Sequence, residues 1–335
     1  QLLLTRESPA SDELRKRVSG SDGGETVVLG ERLGEGYRLY SRADSPAAAE
    51  LAKEEDRLLA ADLPAADKLT VWRKAVRDRV SADPATGVWL VGQDVASAAG
   101  LASKFVTVAG VLKAVAERAG KQLDAARRLK PLAEGSPLAK GHGTRYPILQ
   151  GPMTRVSDTA AFADAVAAGG GLPFLALALM RKPEVEKLLA ETKAKLASRP
   201  WGVGLLGFVP PELQKEQLDA VRAAKPPFAL IAGGRPDQAK ELEKLGTPTY
   251  LHVPSPGLLK MFLKDGARRF VFEGRECGGH VGPRTSFALW EAMCEVLDAH
   301  LDAAPKDELS VVFAGGIHDA TSAAMVSALA AGLAE

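Results

Sequence analysis

The segment EGRECGGHVGPRTS, at 273–286, carries the residues best suited to catalysis. Gly278 and Gly279 have no Cβ, so the backbone there can pass close to a flat ligand. His280 follows them, and a histidine can donate or accept a proton near neutral pH. A glycine-rich turn with a hydrogen-bonded structural histidine explains the same residues, and the residues alone give the two interpretations similar weight.

Two other segments could bring the backbone close to a ligand. In QGPM (150–153), a tight bend would set the amide and side chain of Met153 against an aromatic ring. In AGGRP (232–236), Gly233 again permits a close approach. Taken singly, each segment is explained more simply as a turn between a strand and a helix.

The segment AGGIHDA, at 314–320, could bind phosphate. Gly315 and Gly316 would expose backbone N–H groups close to the start of a helix, where an anion is stabilised. We expect His318 and Asp319 to cap that helix rather than to catalyse.

The remaining histidines and cysteines give weaker evidence of a functional role. His252, within YLHVPS, can face a binding site, and a structural or a ligand-contacting role fits it equally. We expect no special role for His142, in a loop, or for His300, in a surface helix. Cys277 has no paired base that would indicate nucleophilic chemistry. The motifs of P-loop NTPases, α/β hydrolases, zincins and Rossmann domains are not found.

The second half of the chain alternates short apolar runs with amphipathic helical patterns. Continuous apolar runs predict strands buried on both faces, and strand-then-helix repeats predict parallel strands. Seven repeats favour a (β/α)₈ TIM barrel, in which function collects at the carboxyl ends of the strands. The runs are 146–153, 172–179, 201–208, 227–234, 249–255, 269–274 and 309–316.

The barrel is expected to be incomplete, because 319–335 corresponds to a seventh helix and an eighth strand should follow. Since the chain also begins with Gln1 rather than Met, we expect it to be part of a longer protein. We predict two domains, an α/β extension of unknown role at 1–140 and the barrel at 141–335. Within the extension we predict strands at 25–34, 36–42 and 87–95, helices at 45–61, 69–82 and 108–129, and a loop at 129–145.

The composition excludes several classes of function. The 335 residues carry a net charge of +1, so no strong field attracts nucleic acid or an anionic membrane. The two cysteines, Cys277 and Cys294, lack disulfide or zinc spacing, which suits a reducing compartment. No uncharged apolar stretch reaches about 18 residues. We therefore expect a cytoplasmic protein without a membrane span, a nucleic-acid partner or a bound metal.

Three segments, in their order and spacing, resemble the nitronate monooxygenase (2-nitropropane dioxygenase-like) family. They are PILQGPMTRVSD, EGRECGGHVG and FAGGIHDA. FMN-dependent enoyl-acyl-carrier-protein reductases share the barrel of this family. The resemblance covers about 147–330. It implies an FMN-dependent oxidoreductase, with NAD(P)H as a candidate reductant.

The resemblance also implies roles for individual residues. His280 would be the catalytic residue that handles a proton, and Gly315 and Gly316 would help to hold the FMN phosphate. His252 stands close to the place where the family often has a lysine, and is a candidate substrate contact. The residues expected at the cofactor are Gln150, Gly151, Pro152, Met153, Gly233, Glu273, Gly278, Gly279, Gly315 and Gly316.

The chain also departs from the family pattern. Gly204 stands where the third strand often ends in asparagine, which removes a polar contact to flavin or substrate. Together with His252, this change indicates a subfamily with a different substrate. The extended N-terminal region resembles barrel domains within large polyketide or polyunsaturated fatty acid synthases, which implies neighbouring synthase domains as partners.

Three functional hypotheses remain open. The first is a nitronate-type oxidoreductase acting on a small molecule, and the second is an enoyl reductase acting on acyl thioesters. The third is a barrel that no longer catalyses and serves as a structural or docking module. Retained flavin would separate the third from the others, and NAD(P)H consumption with enoyl thioesters without oxygen would favour the second.

Overall fold

A computed structural model describes residues 1–43, 45–81, 83, 86–304 and 308–334. The chain forms two compact units, Gln1–Arg118 and Ala119–Glu335. The predicted domain boundary between 140 and 141 stays a prediction. Among the residues described, no single helix is long and apolar enough to span a membrane. The helices Gln93–Phe105 and Val108–Leu129 are long and apolar enough for a span only when they are counted together, and the chain bends by 100° between them.

The first unit is built around a short antiparallel hairpin, β1 (Thr26–Leu29) and β2 (Tyr37–Tyr40). Leu39, Leu51 and Trp72 are completely buried where the hairpin packs against the helices. Those helices are α1 (Asp12–Ser19), α2 (Pro46–Ala60), α3 (Ala65–Arg77) and α4 (Ala98–Phe105), and α5 (Val108–Leu129) includes the boundary between the units.

The strand predicted at 87–95 is not formed. Val88 and Leu90 make only isolated bridges, to Val80 and Leu39, and Gln93–Ser97 is a 3₁₀ helix. Glycines at both ends of the apolar stretch shorten it, because glycine weakens a strand interior. The two other strands predicted in this region correspond to β1 and β2.

The second unit alternates strands and helices. Its strands are β3 (Leu149–Gln150), β4 (Leu172–Ala176), β5 (Gly202–Leu206), β6 (Phe228–Ala232), β7 (Thr249–His252), β8 (Arg269–Glu273) and β9 (Ser310–Ala314). Its helices are α6 (Pro137–His142), α7 (Ala160–Ala168), α8 (Lys182–Leu196), α9 (Pro211–Ala224), α10 (Pro236–Glu243), α11 (Pro256–Lys264), α12 (Ser286–Ala303) and α13 (Ala320–Ala334).

The seven strands form one parallel sheet in sequence order, β3 to β9, which curves into a nearly closed barrel surrounded by helices. All seven predicted apolar runs contain one of these strands, so the prediction of a TIM-type barrel is confirmed. In the part of the chain that the structure describes, β3 and β9 are the two edges of the sheet.

Alternation along each strand separates the barrel interior from its outer surface. On β7, Tyr250 packs inside with Phe228 and Val271, whereas Leu251 packs outside among residues of the surrounding helices. Strands buried on both faces explain why the apolar runs are continuous rather than alternating.

The helix α6 contacts the amino-terminal part of β6 and β7 through one side chain. His142, in α6, is 4% exposed, and its Nε2 lies 2.7 Å from the hydroxyl of Tyr250. Its ring also meets that of Phe228 edge-on, with 5.3 Å between centroids. The prediction of a loop at His142 is therefore wrong, because 137–142 form the short helix α6, in which Ala139 and His142 are buried.

Candidate active site

Phe208 connects two of the predicted segments at the carboxyl ends of the strands. It follows β5, and its ring meets that of His280 edge-on, with 5.5 Å between centroids. The same ring covers Gly233, where φ is +62° and a Cβ would come within 2.7 Å of Phe208 Cδ1. Sequence reasoning missed Phe208, although an aromatic residue directly after a strand-end glycine was the available signal.

Met153 connects the loop after β3 with the glycine turn after β8. A Cβ on Gly278 would lie 2.7 Å from Met153 Cε, so the two loops touch. The Met153 amide donates to the hydroxyl of Ser157 (2.7 Å), and the Ser157 carbonyl accepts from the amide of Ala176 on β4 (2.9 Å). Since Ser157 is completely buried, this hydrogen-bonded chain fixes the β3 loop to the barrel wall.

Pro152 fills the space beside the Cα of Gly204. The ring of Pro152 lies where a side chain on Gly204 would begin, at Cβ and Cγ. A larger residue at 204 would therefore displace the β3 loop. In the structure, the space that a side chain at position 204 would need is filled by Pro152.

The loop after β8 is anchored at the start of α12 by Ser286. Glu276 Oε2 accepts hydrogen bonds from the Ser286 amide (2.7 Å) and hydroxyl (2.6 Å). Burial alone would raise the pKa of Glu276, but these hydrogen bonds outweigh it and hold the pKa below its ordinary value. A Cβ on either Gly274 or Gly315 would strike the same Ser286 side chain.

The same loop passes over the end of β7. Gly282 approaches Pro254 so closely that a Cβ would lie 2.9 Å from Pro254 Cβ. His280, which precedes this contact by two residues, is exposed. The predicted catalytic histidine therefore stands on a loop that folds across the carboxyl ends of β7 and β8.

β7 and β8 end in a polar pair inside the barrel. His252 Nδ1 lies 2.9 Å from Glu273 Oε2, and the two side chains are 14% and 12% exposed. Tyr250 and Val271, two residues earlier on each strand, belong to the interior cluster, so alternation places His252 and Glu273 on the same face. The structure thus pairs the predicted substrate contact with a predicted cofactor contact.

The turn between β9 and α13 contains two glycines with positive φ, Gly315 (+122°) and Gly316 (+70°). Asp319 Oδ1 accepts from the amide of Ser322 (2.7 Å), so Asp319 caps α13 as expected. His318 is exposed, with Nδ1 2.8 Å from the carbonyl of Gly316.

Gln150, at the end of β3, has an unsatisfied polar atom. Its Nε2 donates to the carbonyl of Gly151, whereas its Oε1 is buried and has no partner in the part of the chain described. An unpaired buried acceptor costs about 1–3 kcal/mol, so a ligand N–H would stabilise this side chain. A Cβ added to Gly151 or to Gly279 would have no non-neighbouring heavy atom of the described residues within 4 Å, so the backbone there is accessible.

Cys277, within the glycine loop, is a poor nucleophile. Burial, reinforced by Glu273 and Glu276, raises the pKa of its thiol to about 12. The expectation of no nucleophilic role agrees with this environment, since the thiolate is the reactive form. No group of three or more potential metal ligands occurs among the residues that the structure describes.

Large apolar side chains are exposed on the loops that follow the strands. They come from five different strand ends, and we call them the apolar rim. The rim consists of Met153, Val156, Leu179, Phe208, Val281 and Ile317. Exposed apolar groups gathered on one face are typical of a binding surface rather than of scattered surface residues.

The structure brings together the predicted residues of four loops. Met153 touches Gly278, and Phe208 links Gly233 to His280, while Gly315 joins the β8 loop through Ser286. These contacts place the predicted residues at one end of the barrel, and their roles toward a cofactor or substrate stay predictions.

No protein-family model matches the chain. A curated relative from Rhodococcus jostii (strain RHA1) is 31% identical over 198 residues, which are 57% of this chain and 50% of the relative. Its name is (3aS,4S,5R,7aS)-5-hydroxy-7a-methyl-1-oxo-octahydro-1H-indene-4-carboxyl-CoA dehydrogenase. The chain therefore spans about half the length of the curated relative that it matches.

Solved barrel structures are similar as well. A mutant form of FabK from Thermotoga maritima is 28% identical, with a TM-score of 0.50 over 58% of this chain and 61% of FabK. The enoyl reductase domain of MlnA from Bacillus amyloliquefaciens is 18% identical, with a TM-score of 0.48 over 60% of this chain and 54% of that domain. The sheet order of the second unit and its similarity to FabK agree on the fold of a (β/α) barrel. The chain is similar to a carboxyl-CoA dehydrogenase and to FabK.

Proposed function

We propose that this chain provides the barrel of an FMN-dependent oxidoreductase that acts on an acyl thioester. The observation that carries the proposal is the convergence of the loops after β3, β5, β6 and β8, through Met153, Phe208 and Gly278, around His280. The relative that acts on a carboxyl-CoA supports a thioester substrate, and the apolar rim suits an apolar acyl group.

The residues at the mouth of the barrel fit a flavin. The buried, unpaired Oε1 of Gln150 offers an acceptor to a ring N–H, and the backbone at Gly151 and Gly279 is open to a flat group. We propose that Pro152, Met153, Gly233, Gly278 and Glu273 line the same site, and that the amides of Gly315 and Gly316 hold the phosphate.

When bound, FMN supplies the transfer of a hydride to or from carbon. The protein has to orient the thioester and move the accompanying proton at the neighbouring carbon. We propose that His280 handles a proton at the mouth of the barrel, since it stands on an exposed glycine turn. The apolar rim would exclude water from the acyl group.

A nitronate-oxidising activity is a second candidate. The order of the PILQGPM, GRECGGH and FAGGIHD segments favours it, because these segments resemble the nitronate monooxygenase family. Placement in a multidomain synthase and in the cytoplasm stay predictions for either activity.

The first experiment measures the visible absorbance of the purified full-length protein after incubation with FMN and desalting. Retained flavin bands support the proposal, and a folded but colourless protein contradicts it in favour of a structural barrel. Anaerobic NAD(P)H oxidation with enoyl thioesters, or flavin bleaching by saturated acyl thioesters, supports thioester chemistry. Oxygen uptake with nitronates alone supports the second candidate.

The role of His280 is tested by His280→Ala. We expect retained flavin and turnover slowed by roughly 10²–10⁴-fold, the usual loss when acid–base help is removed. His318→Ala is the matched control, because His318 is also exposed on a strand-end loop. Equal turnover of the two variants and the wild type would contradict the role of His280.

A further inference from the structure

His252 and His280 differ in their surroundings. His280 is exposed on the glycine turn, with its ring against Phe208. His252 is largely buried inside the end of the barrel and lies 2.9 Å from a carboxylate, that of Glu273. Of the two, His252 is therefore the one whose ring orientation is set by a charged partner.

Glu273 determines which ring nitrogen of His252 can exchange a proton. The carboxylate 2.9 Å from Nδ1 attracts an N–H and repels a lone pair, so this contact favours the ring form with its hydrogen on Nδ1. Nε2 then carries a lone pair when the ring is neutral and a hydrogen when the ring is charged. It is the Nε2 atom that acts as base or acid.

Nε2 of His252 is reached from the mouth of the barrel. This nitrogen has no hydrogen-bond partner among the described residues, and it is accessible to solvent rather than buried. The residue below it on the same face, Tyr250, fills the barrel interior, so the open side of the ring is the carboxyl end of β7. The glycine loop passes over this end at Pro254.

A histidine whose second nitrogen is held by a carboxylate is the arrangement of a general base with its orienting group. We propose that His252 is a catalytic acid–base residue of this site, acting through Nε2, and that Glu273 is its positioning residue. The inference rests on the proposed function for the substrate, an acyl thioester, and assigns the proton at its α-carbon to His252.

The step is a proton transfer alone. The Cα–H bond of the thioester breaks, a bond between Nε2 and hydrogen forms, and the electron pair stays on the acyl group, delocalised into the thioester carbonyl. Return of a hydrogen from Nε2 reverses the step. In D₂O the protein therefore exchanges the α-hydrogen of a saturated acyl-CoA for deuterium, with no oxidant required.

The tautomer is measured first, by ¹⁵N NMR of the histidine side chains in the flavin-free wild type. The signals of His252 are identified by their disappearance in His252→Gln. We expect these signals to show a hydrogen on Nδ1 at neutral pH. Glu273→Gln should shift the ring toward the Nε2–H form, and Glu273→Asp should preserve the wild-type tautomer. A wild-type ring with hydrogen on Nε2 and none on Nδ1 overturns the proposal.

Exchange is measured next, by mass spectrometry of octanoyl-CoA incubated with the protein and FMN in D₂O. We expect His252→Gln to slow α-deuteration by roughly 10²-fold or more. Glu273→Gln should slow it as well, with recovery in Glu273→Asp, and His318→Gln should leave it unchanged. Unchanged exchange in a folded His252→Gln, or no exchange in the wild type, overturns the proposal.

These outcomes are separate from those that test the proposed function. Loss of flavin binding by the wild type removes the proposed function, whereas the tautomer of His252 is read without flavin. Retained flavin and thioester-dependent redox activity, together with unchanged exchange in His252→Gln, would remove only the role of His252.

Discussion

Acidification should weaken the barrel through His142, at its amino-terminal end. The imidazole is buried against Tyr250 and Phe228. Burial, with a contribution from the positive charge of Arg269, lowers the pKa of His142 from 6.5 to about 4. The folded protein therefore favours the neutral ring, and the cost of charging it appears as lost stability.

The size and sign follow from linkage. Above pH 6.5 the ring is neutral in both the folded and the unfolded chain, and His142 causes no pH dependence. Between pH 6.5 and about 4 the unfolded chain binds a proton that the folded barrel excludes, so the free energy of unfolding falls as the pH falls. At about 1.4 kcal/mol per pKa unit, the complete loss is about 3 kcal/mol.

The assay compares the wild type with His142→Gln, which keeps a polar side chain but cannot titrate. Urea unfolding is followed from about pH 7 to about pH 4, with the barrel read by deuterium-pulse mass spectrometry of peptides from β6 and β7. We expect the wild type to lose about 3 kcal/mol relative to the variant over this range. Parallel pH profiles for the two proteins would refute the reasoning, because all other titrating groups are shared.

Two further predictions concern the mouth of the barrel. Gly204→Ala should lower the free energy of unfolding in urea by about 1–3 kcal/mol, because its methyl group meets the ring of Pro152. Gly151→Ala, whose methyl group enters open space, is the control, and equal losses would contradict the argument. Iodoacetamide at about pH 8 should alkylate Cys277 at least ~10²-fold more slowly in the folded than in the urea-unfolded protein, because burial raises the pKa of this thiol to about 12. Similar rates, measured by peptide mass spectrometry, would show that the thiol is not protected.

The barrel could be predicted because strands buried on both faces leave a continuous apolar run, as in LPFLALAL and PFALIAGG. The short helix α6 could not, since PLAKGH has too few residues for a helical period. The burial of His142, its last residue, involves Tyr250, 108 residues away along the chain.

The candidate site was predicted in part for the same reason. Glycines are visible in the sequence wherever the backbone turns tightly, so Gly233, Gly278 and Gly315 could be named. Contacts between side chains of distant segments could not. The ring of Phe208 beside His280 joins β5 to β8, and no local pattern encodes that approach.

The crowding around Ser286 restricts how this sequence can vary. Gly274 and Gly315 belong to different βα turns, yet a methyl group on either would collide with one serine side chain, which also binds Glu276. Replacements at these positions cannot contribute independently to the free energy, because they share a partner. In evolutionary terms the two turns and the start of α12 form one epistatic unit, in which a change at one glycine is tolerated only against a changed background at residue 286.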